Sequence, residues 1–175
     1  MQLYLKSGSA AETVSIGKKF SRLLLPGDLV LLSGELGGGK TTIISGIAGG
    51  LGLKENPSSP SFTILNEYNT GKRGIKFIHA DFYRLENIED LETTGLEDYI
   101  YSGRAIVCVE WGTRLKPIIK KDFLTINLEY LAGKESGIND RIITFKGSTE
   151  YWNRKLLLLK DILSRAGIVN SQFEL

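Results

Sequence analysis

The feature that most constrains this chain is a glycine-rich loop between an apolar run and a helical pattern. The loop reads Gly34-Glu35-Leu36-Gly37-Gly38-Gly39-Lys40-Thr41 and has the spacing G-x-x-x-x-G-K-[ST]. Before it, the apolar residues 29–32 predict a buried parallel strand, and after it residues 43–48 predict a helix. Strand, glycine loop and helix in this order predict a phosphate site in an α/β fold.

Each residue type in the loop has a physical reason for its place. The glycines at 34 and 37–39 accept positive φ and carry no Cβ, so backbone N–H groups can turn toward a polyphosphate. The helix that follows adds its free N–H groups and its dipole. Lys40 offers positive charge to the β and γ phosphates, and the Thr41 hydroxyl is placed to ligate Mg²⁺. Thr42 lies one step further, where packing or capping is the alternative. The predicted nucleotide-binding residues of the loop and helix are Gly37, Gly38, Gly39, Lys40, Thr41 and Thr42.

Length and composition set the broad class. The 175 residues predict one domain over 1–175, with a C-terminal helix at about 148–167 that lies on the sheet or at a partner surface. A net charge of +2 is too small to indicate a nucleic-acid groove or a membrane surface. The single cysteine, Cys108, stands in an apolar run and predicts a buried thiol. No segment resembles a membrane span or a signal peptide, so we expect a cytoplasmic protein without membrane contact.

Two carboxylates follow predicted strands. Asp81 comes after the strand-like residues 75–78, and Glu110 ends the apolar run 105–109. Ligands of α/β sheets bind at the carboxyl ends of strands, so Asp81 is a candidate for water or metal chemistry, with an N-cap as the alternative. Glu110 is a candidate for the Mg²⁺ shell opposite Thr41. Lys40, Asp81 and Glu110 are thus the catalytic candidates.

The remaining polar candidates carry weaker signals. Ser9 and Thr13, at the start of the first predicted helix, are candidates for contact with a nucleotide base, and capping or solvent exposure is equally compatible. His79 is interpreted as a strand residue, because the chain has no second histidine to build a metal cage. Trp111 is interpreted as core or rim. The turn-rich residues 56–61 are either a phosphate-sensing switch or a polar loop.

The nucleotide and the reaction are constrained by motifs that are absent from the sequence. The segment Asn/Thr-Lys-x-Asp that reads guanine in P-loop proteins does not occur, which favours ATP over GTP. Arg84, Arg104 and Arg114 are scattered and form no lid-like cluster, which counts against a small-molecule kinase.

Four motifs together resemble the TsaE (YjeE) family, bacterial P-loop ATPases of threonylcarbamoyl modification of the adenosine next to the tRNA anticodon. They are the glycine loop, residues 59–68 (SPSFTILNEY), residues 79–85 (HADFYRL) and Glu110-Trp111. The resemblance implies a mixed-sheet α/β fold with ATP in the loop and Mg²⁺ on Thr41 and Glu110. It also implies that Asp81 is needed for hydrolysis and that residues 59–63 form the switch.

The same resemblance implies partners. They are TsaD, which transfers threonylcarbamoyl, and its paralogue TsaB, with tRNA reached indirectly through the complex. Three positions depart from the family pattern: Gly38 stands for the usual alanine, Ser61 for threonine, and Gly112-Thr113 lacks an acidic residue. Two alternatives stay open, a small-molecule kinase and a nucleotide-binding interaction module that does not need hydrolysis. Which of Asp81 and Glu110 handles the attacking water also stays open.

Overall fold

The computed structural model describes residues 1–55, 57–60, 64–71, 74–84, 94–131, 140–168 and 171–174. Four helices alternate with strands in these ranges: Ala10–Phe20 (α1), Lys40–Gly50 (α2), Leu96–Ser102 (α3) and Glu150–Arg165 (α4). The strands are Gln2–Ser7 (β1), Leu29–Gly34 (β2), Leu65–Asn69 (β3), Lys76–Asp81 (β4), Ala105–Glu110 (β5), Leu124–Tyr130 (β6), Arg141–Gly147 (β7) and Ser171–Glu174 (β8).

These strands join one mixed sheet in the order β3-β4-β5-β2-β6-β7-β1-β8. The inner strands β4, β5, β2 and β6 run parallel, and each remaining strand is antiparallel to its neighbours. Parallel neighbours end at the same edge of the sheet, so the chain segments that leave β2, β4 and β5 meet there. The predicted mixed-sheet α/β fold is confirmed.

The side chains of β2 point alternately into two hydrophobic cores, one on each face of the sheet. Val30 and Leu32 belong to a core that includes α1, α2 and α4, whereas Leu29 and Leu31 belong to a second core with α3. A strand covered on both faces must be apolar throughout, which explains the continuous run at 29–32. The predicted C-terminal helix is α4. It covers the sheet, because its apolar stripe is buried in the first core: Trp152, Leu156, Leu159 and Leu163.

The contact between α1 and α2 fixes the direction of the helix that starts at the glycine loop. Ser9 caps α1, since its Oγ accepts a hydrogen bond from the Glu12 N–H at 3.1 Å. At Gly46 of α2, a Cβ would lie only 2.3 Å from the carbonyl oxygen of Val14. The two helices can therefore pack this closely only with glycine at that position.

The place of β1 in the sheet differs from what its local sequence pattern indicates. The pattern of residues 2–6 predicts a short edge strand, but β1 is an interior strand that pairs with β7 on one side and β8 on the other. The strand that covers it comes from the far end of the chain, so no local pattern announces the pairing. Cys108 is fully buried, as predicted, and burial raises the pKa of its thiol. Among the described helices, none combines the length and apolarity that crossing a membrane requires.

Candidate functional site

The glycine loop joins β2 to α2 with its backbone in conformations that favour glycine. Gly34, Gly37 and Gly39 have φ of 127°, 76° and 104°. Gly39 is the residue before α2, in the left-handed region, and no side chain caps the helix there. The first N–H groups of α2 are therefore left for another acceptor, and the dipole at a helix N-terminus favours an anion.

Gly38 differs from the other three glycines of the loop, which have positive φ. Its φ is not positive, and its N–H donates to the Glu35 carbonyl at 3.0 Å, so it does not turn toward the site. A Cβ at this position would lie 3.0 Å from the Glu35 oxygen and 3.2 Å from the Leu128 oxygen. An alanine at this position would require these two carbonyl oxygens to move by a few tenths of an ångström.

Lys40 is buried at the start of α2, with 4% of its surface exposed. Its Nζ donates to the carbonyl oxygens of Gly34 at 2.9 Å and Glu35 at 2.8 Å, and it lies 4.1 Å from the ring centre of Trp111. Burial lowers the pKa of Lys40, and the nearby carboxylates of Glu110 and Asp81 oppose that shift. No carboxylate in the described ranges forms an ion pair with it.

The two candidate carboxylates lie side by side. Asp81 and Glu110 are directly paired at the ends of the parallel strands β4 and β5. The Thr41 hydroxyl donates to Glu110 Oε1 at 2.7 Å. Asp81 accepts hydrogen bonds from the Ser59 hydroxyl at 2.6 Å and the Tyr83 N–H at 3.0 Å. The register of the sheet thus brings both acids to the glycine loop.

His79 takes a position that the sequence interpretation missed. It is fully buried, and its Nε2 lies 3.0 Å from Glu110 Oε1, the oxygen that also accepts from Thr41. An ionised carboxylate only accepts hydrogen bonds, so Nε2 carries the proton. Nδ1 has no partner within the described residues. The signal that points to His79 is its spacing: it stands two residues before Asp81, so both side chains share one face of β4.

A residue with a strained backbone lies next to each of the two acids. In the described chain, positive φ outside glycine occurs at Trp111, with 58°, and Ile64, with 63°. Trp111 follows Glu110, and the Ile64 carbonyl accepts from the Asp81 N–H at 2.9 Å. Such conformations are costly and concentrate at functional sites. Trp111, interpreted from the sequence as core or rim, packs on Tyr83 and contacts the Lys40 ammonium.

A cavity of about 200 Å³ connects these groups. Its lining holds most predicted site residues together with Leu36, Tyr83 and Trp111; the predicted ones are Gly37, Gly39, Lys40, Thr41, Thr42, Asp81 and Glu110. Gly38 is not part of the lining.

Thr13 is not brought to this cavity. Its side chain is fully buried, and its Oγ1 bonds to the Ser9 carbonyl at 3.1 Å and lies 2.8 Å from the Ser7 hydroxyl. The geometry favours the structural alternative for Thr13. Of the predicted switch, Ser59 and Pro60 are described and Ser59 contacts Asp81, whereas residues 61–63 lie outside the described ranges.

The donor set fits a magnesium ion shared with phosphates. Thr41 and Glu110 present oxygen atoms 2.7 Å apart beside the loop, and Mg²⁺ prefers oxygen ligands from one or two side chains plus phosphates and water. The described residues contain no group of three or more acidic, histidine or cysteine side chains that could form a complete protein cage.

Comparisons with known proteins all indicate the same family. A family profile described as "Threonylcarbamoyl adenosine biosynthesis protein TsaE" matches residues 7–138. The tRNA threonylcarbamoyladenosine biosynthesis protein TsaE of Bacillus subtilis (strain 168) is 34% identical over 169 residues, which cover 97% of this chain and 99% of the relative. The protein of the same name from Treponema pallidum (strain Nichols) is 38% identical over 126 residues, 72% of this chain and 90% of the relative.

A solved structure shares the fold over nearly the whole chain. The crystal structure of YdiB from Bacillus subtilis superimposes with a TM-score of 0.70 at 30% sequence identity. The match covers 95% of this chain and 97% of the YdiB chain.

Proposed function

The chain belongs to the TsaE family of tRNA threonylcarbamoyladenosine biosynthesis, and from that membership we propose that it is a Mg²⁺-dependent ATPase of this pathway. It binds ATP at the glycine loop and hydrolyses it to drive or reset an assembly with TsaD and TsaB. Its contact with tRNA is indirect, through that assembly, and the proposed location is the cytoplasm.

The proposal rests on the environment of the Lys40 side chain. The side chain is buried, it has no carboxylate partner in the described chain, and it stands at the uncapped N-terminus of α2. A buried cation without a counter-charge costs free energy, and a helix N-terminus adds further positive potential. A bound polyphosphate would offset both. Its phosphates would replace the carbonyls of Gly34 and Glu35 as partners of Lys40.

Thr41 and Glu110 are the proposed holders of Mg²⁺. The ion supplies charge neutralisation on the phosphates and fixes their geometry when it is bound. The Thr41 hydroxyl donates a hydrogen bond to Glu110 Oε1 at 2.7 Å. With a metal present, the oxygen lone pairs of Thr41 and Glu110 would face the ion.

Asp81 is the proposed residue for water. It lies beside Glu110, and it accepts hydrogen bonds from the Ser59 hydroxyl and the Tyr83 N–H, which hold it in place. An ionised carboxylate can orient a water molecule and accept its proton. The bond to Ser59 also joins Asp81 to the segment expected to act as a switch, so movement of that segment would change the position of the acid.

The test is phosphate release from ATP by the purified protein, alone and with TsaB and TsaD from the same source. We expect slow turnover alone and a large change when the partners are added, with Asp81→Ala inactive in both assays. Normal turnover by Asp81→Ala would remove Asp81 from the mechanism. Mg²⁺-dependent ATP binding without hydrolysis in either assay would contradict the ATPase and favour an interaction module, and transfer of phosphate to an added acceptor would favour a kinase.

A further inference from the structure

The hydroxyl of Tyr130 holds the glycine loop from outside the cavity. Tyr130 is the last residue of β6, and 42% of its surface is exposed. Its hydroxyl donates to the Gly37 carbonyl at 2.8 Å. Gly37 lines the cavity, whereas Tyr130 is not part of the lining. The side chain therefore contacts the loop without touching the cavity, from 93 positions along the chain.

This hydrogen bond completes the fixing of one peptide group. The Gly37 carbonyl and the Gly38 N–H belong to the same planar peptide unit. Tyr130 holds the carbonyl, and the Glu35 carbonyl accepts from the Gly38 N–H at 3.0 Å. A peptide unit between two glycines rotates easily, because neither residue has a Cβ that restricts φ and ψ. Hydrogen bonds at both ends therefore set an orientation that the residue types alone leave open.

The fixed peptide is connected to Lys40. The Glu35 carbonyl accepts from Lys40 Nζ at 2.8 Å as well as from the Gly38 N–H. If phosphates replace this carbonyl as the partner of Lys40, the Gly38 N–H is the partner that remains to it among the described residues. The loop then keeps its shape only while the Gly37–Gly38 peptide stays in place. A peptide that rotated would also direct a carbonyl oxygen, which is partly negative, at the anion.

The end of β6 is the surface on which the loop rests. Gly34 pairs with Leu128 of this strand, and a Cβ at Gly38 would lie 3.2 Å from the Leu128 carbonyl oxygen. Backbone contacts thus hold the start of the loop on β6. The Tyr130 hydroxyl extends the attachment to Gly37, in the middle of the loop.

We propose that Tyr130 is a positioning residue of the glycine loop, whose hydroxyl keeps the Gly37–Gly38 peptide in the orientation that receives the polyphosphate of a nucleoside di- or triphosphate. This inference rests on the proposed binding of nucleotide at the loop. Without the hydroxyl, the ligand-free loop samples other orientations, and the apparent affinity falls in proportion to the fraction that remains competent. Bound phosphates hold the loop themselves, so the dissociation rate does not change.

The experiment compares wild type with Tyr130→Phe, which removes the hydroxyl and keeps the ring. Calorimetric titration with ADP and Mg²⁺ gives the affinity, and stopped flow with a fluorescent ADP analogue gives the association and dissociation rate constants. We expect the affinity to fall about fivefold through the loss of one hydrogen bond, with the whole change in the association rate constant. The melting temperature of the ligand-free protein stays at the wild-type value, because Gly37 is exposed and its released carbonyl bonds to water.

The matched control is Tyr99→Phe. The Tyr99 hydroxyl also donates an exposed hydrogen bond, to Glu67 Oε2 at 2.7 Å, but Tyr99 belongs to α3, and no residue of this helix lines the cavity. This variant should keep the wild-type affinity and both rate constants. An equal change in Tyr99→Phe and Tyr130→Phe would contradict a specific action of Tyr130 on the loop.

The outcomes separate this inference from the proposed function. Wild type that binds neither ADP nor ATP, with or without Mg²⁺, would overturn nucleotide binding and the role of Tyr130 with it. Wild-type binding that is unchanged in Tyr130→Phe would overturn the role of Tyr130 alone. So would a loss of affinity that comes from faster dissociation, or a lower melting temperature with unchanged rate constants, which would make Tyr130 a purely structural residue.

Discussion

Two buried clusters at opposite ends of β2 each contain a lysine, and they differ in how that charge is satisfied. Asp28, just before β2, accepts hydrogen bonds from Lys155 and, at 2.6 Å, from the Tyr151 hydroxyl. Both residues belong to α4, so this cluster anchors α4 to the sheet. At the other end, the partners of Lys40 within the described ranges are two carbonyl oxygens and the ring of Trp111.

Burial acts alike on the two lysines, so the difference lies in their partners. Burial lowers the pKa of Lys155 and of Lys40, and in both cases nearby carboxylates oppose the shift. Among the described residues, a carboxylate contacts Lys155 directly and none contacts Lys40. A closed ion pair joins α4 to the sheet, whereas a charge left open beside a helix N-terminus and a cavity fits the proposed phosphate ligand.

The variant Lys40→Met tests most directly whether the two lysines have different roles. We expect ATP hydrolysis to fall about a thousandfold, because the charge that stabilises the phosphates is lost. The free energy of unfolding should change by less than about 1 kcal/mol, since the loop carbonyls released by Lys40 lie near the surface and can bond to water. Phosphate release and urea unfolding measure the two quantities. A loss of stability as large as that expected below for Asp28 would show that Lys40 is a structural residue.

The sequence predicts the part of this arrangement that local patterns encode. The strand, loop and helix around Lys40 follow from residue types within twenty positions, and Asp81 and Glu110 are found because each ends an apolar run. Gly39, Lys40 and Thr41 reach the cavity as expected. The pairing of β1 with β8 could not be predicted, because it joins residues more than 160 positions apart.

The contact between His79 and Glu110 is missed for the same reason. His79 stands in a strand-like segment with no motif of its own, and its chemistry depends on neighbours set by the register of the sheet. His79 meets Glu110 because β4 and β5 are parallel with Asp81 opposite Glu110. Gly38 shows the converse: its residue type suggests positive φ, but the loop places it in an ordinary conformation.

The anchor cluster provides the second prediction. Asp28→Asn removes the only negative charge that contacts Lys155 in the described chain, so we expect a loss of about 3 kcal/mol in unfolding free energy, or roughly 6–12 °C in melting temperature. Nucleotide affinity should stay unchanged, because the cluster lies at the other end of β2. Adding Lys155→Met to Asp28→Asn should recover part of the stability, since no unpaired charge then remains buried. A double variant that is less stable than Asp28→Asn would contradict the ion-pair explanation.

The smallest expected effect is that of replacing His79. This variant tests whether His79 belongs to the metal site or only to the core. His79 donates to the oxygen of Glu110 that also accepts from Thr41, so it fixes the direction of the proposed metal ligand. Hydrogen bonds behind a metal ligand typically contribute 10–100-fold to metal affinity, and we expect His79→Leu to weaken Mg²⁺ binding about tenfold in the presence of ADP. ADP binding in EDTA should be unchanged.

The conservative variant His79→Gln shows whether His79 orients Glu110 or only packs in the core. In His79→Gln the side-chain amide can donate a hydrogen bond from nearly the same position as Nε2, so Mg²⁺ affinity should return toward wild type even though the ring is lost. Asn is too short to reach Glu110 from position 79 and should behave like Leu. Titration of Mn²⁺ followed by electron paramagnetic resonance measures the affinities directly, without turnover. If His79→Gln and His79→Leu lower the metal affinity equally, His79 acts by filling space in β4. It would then be a core residue and not part of the metal site.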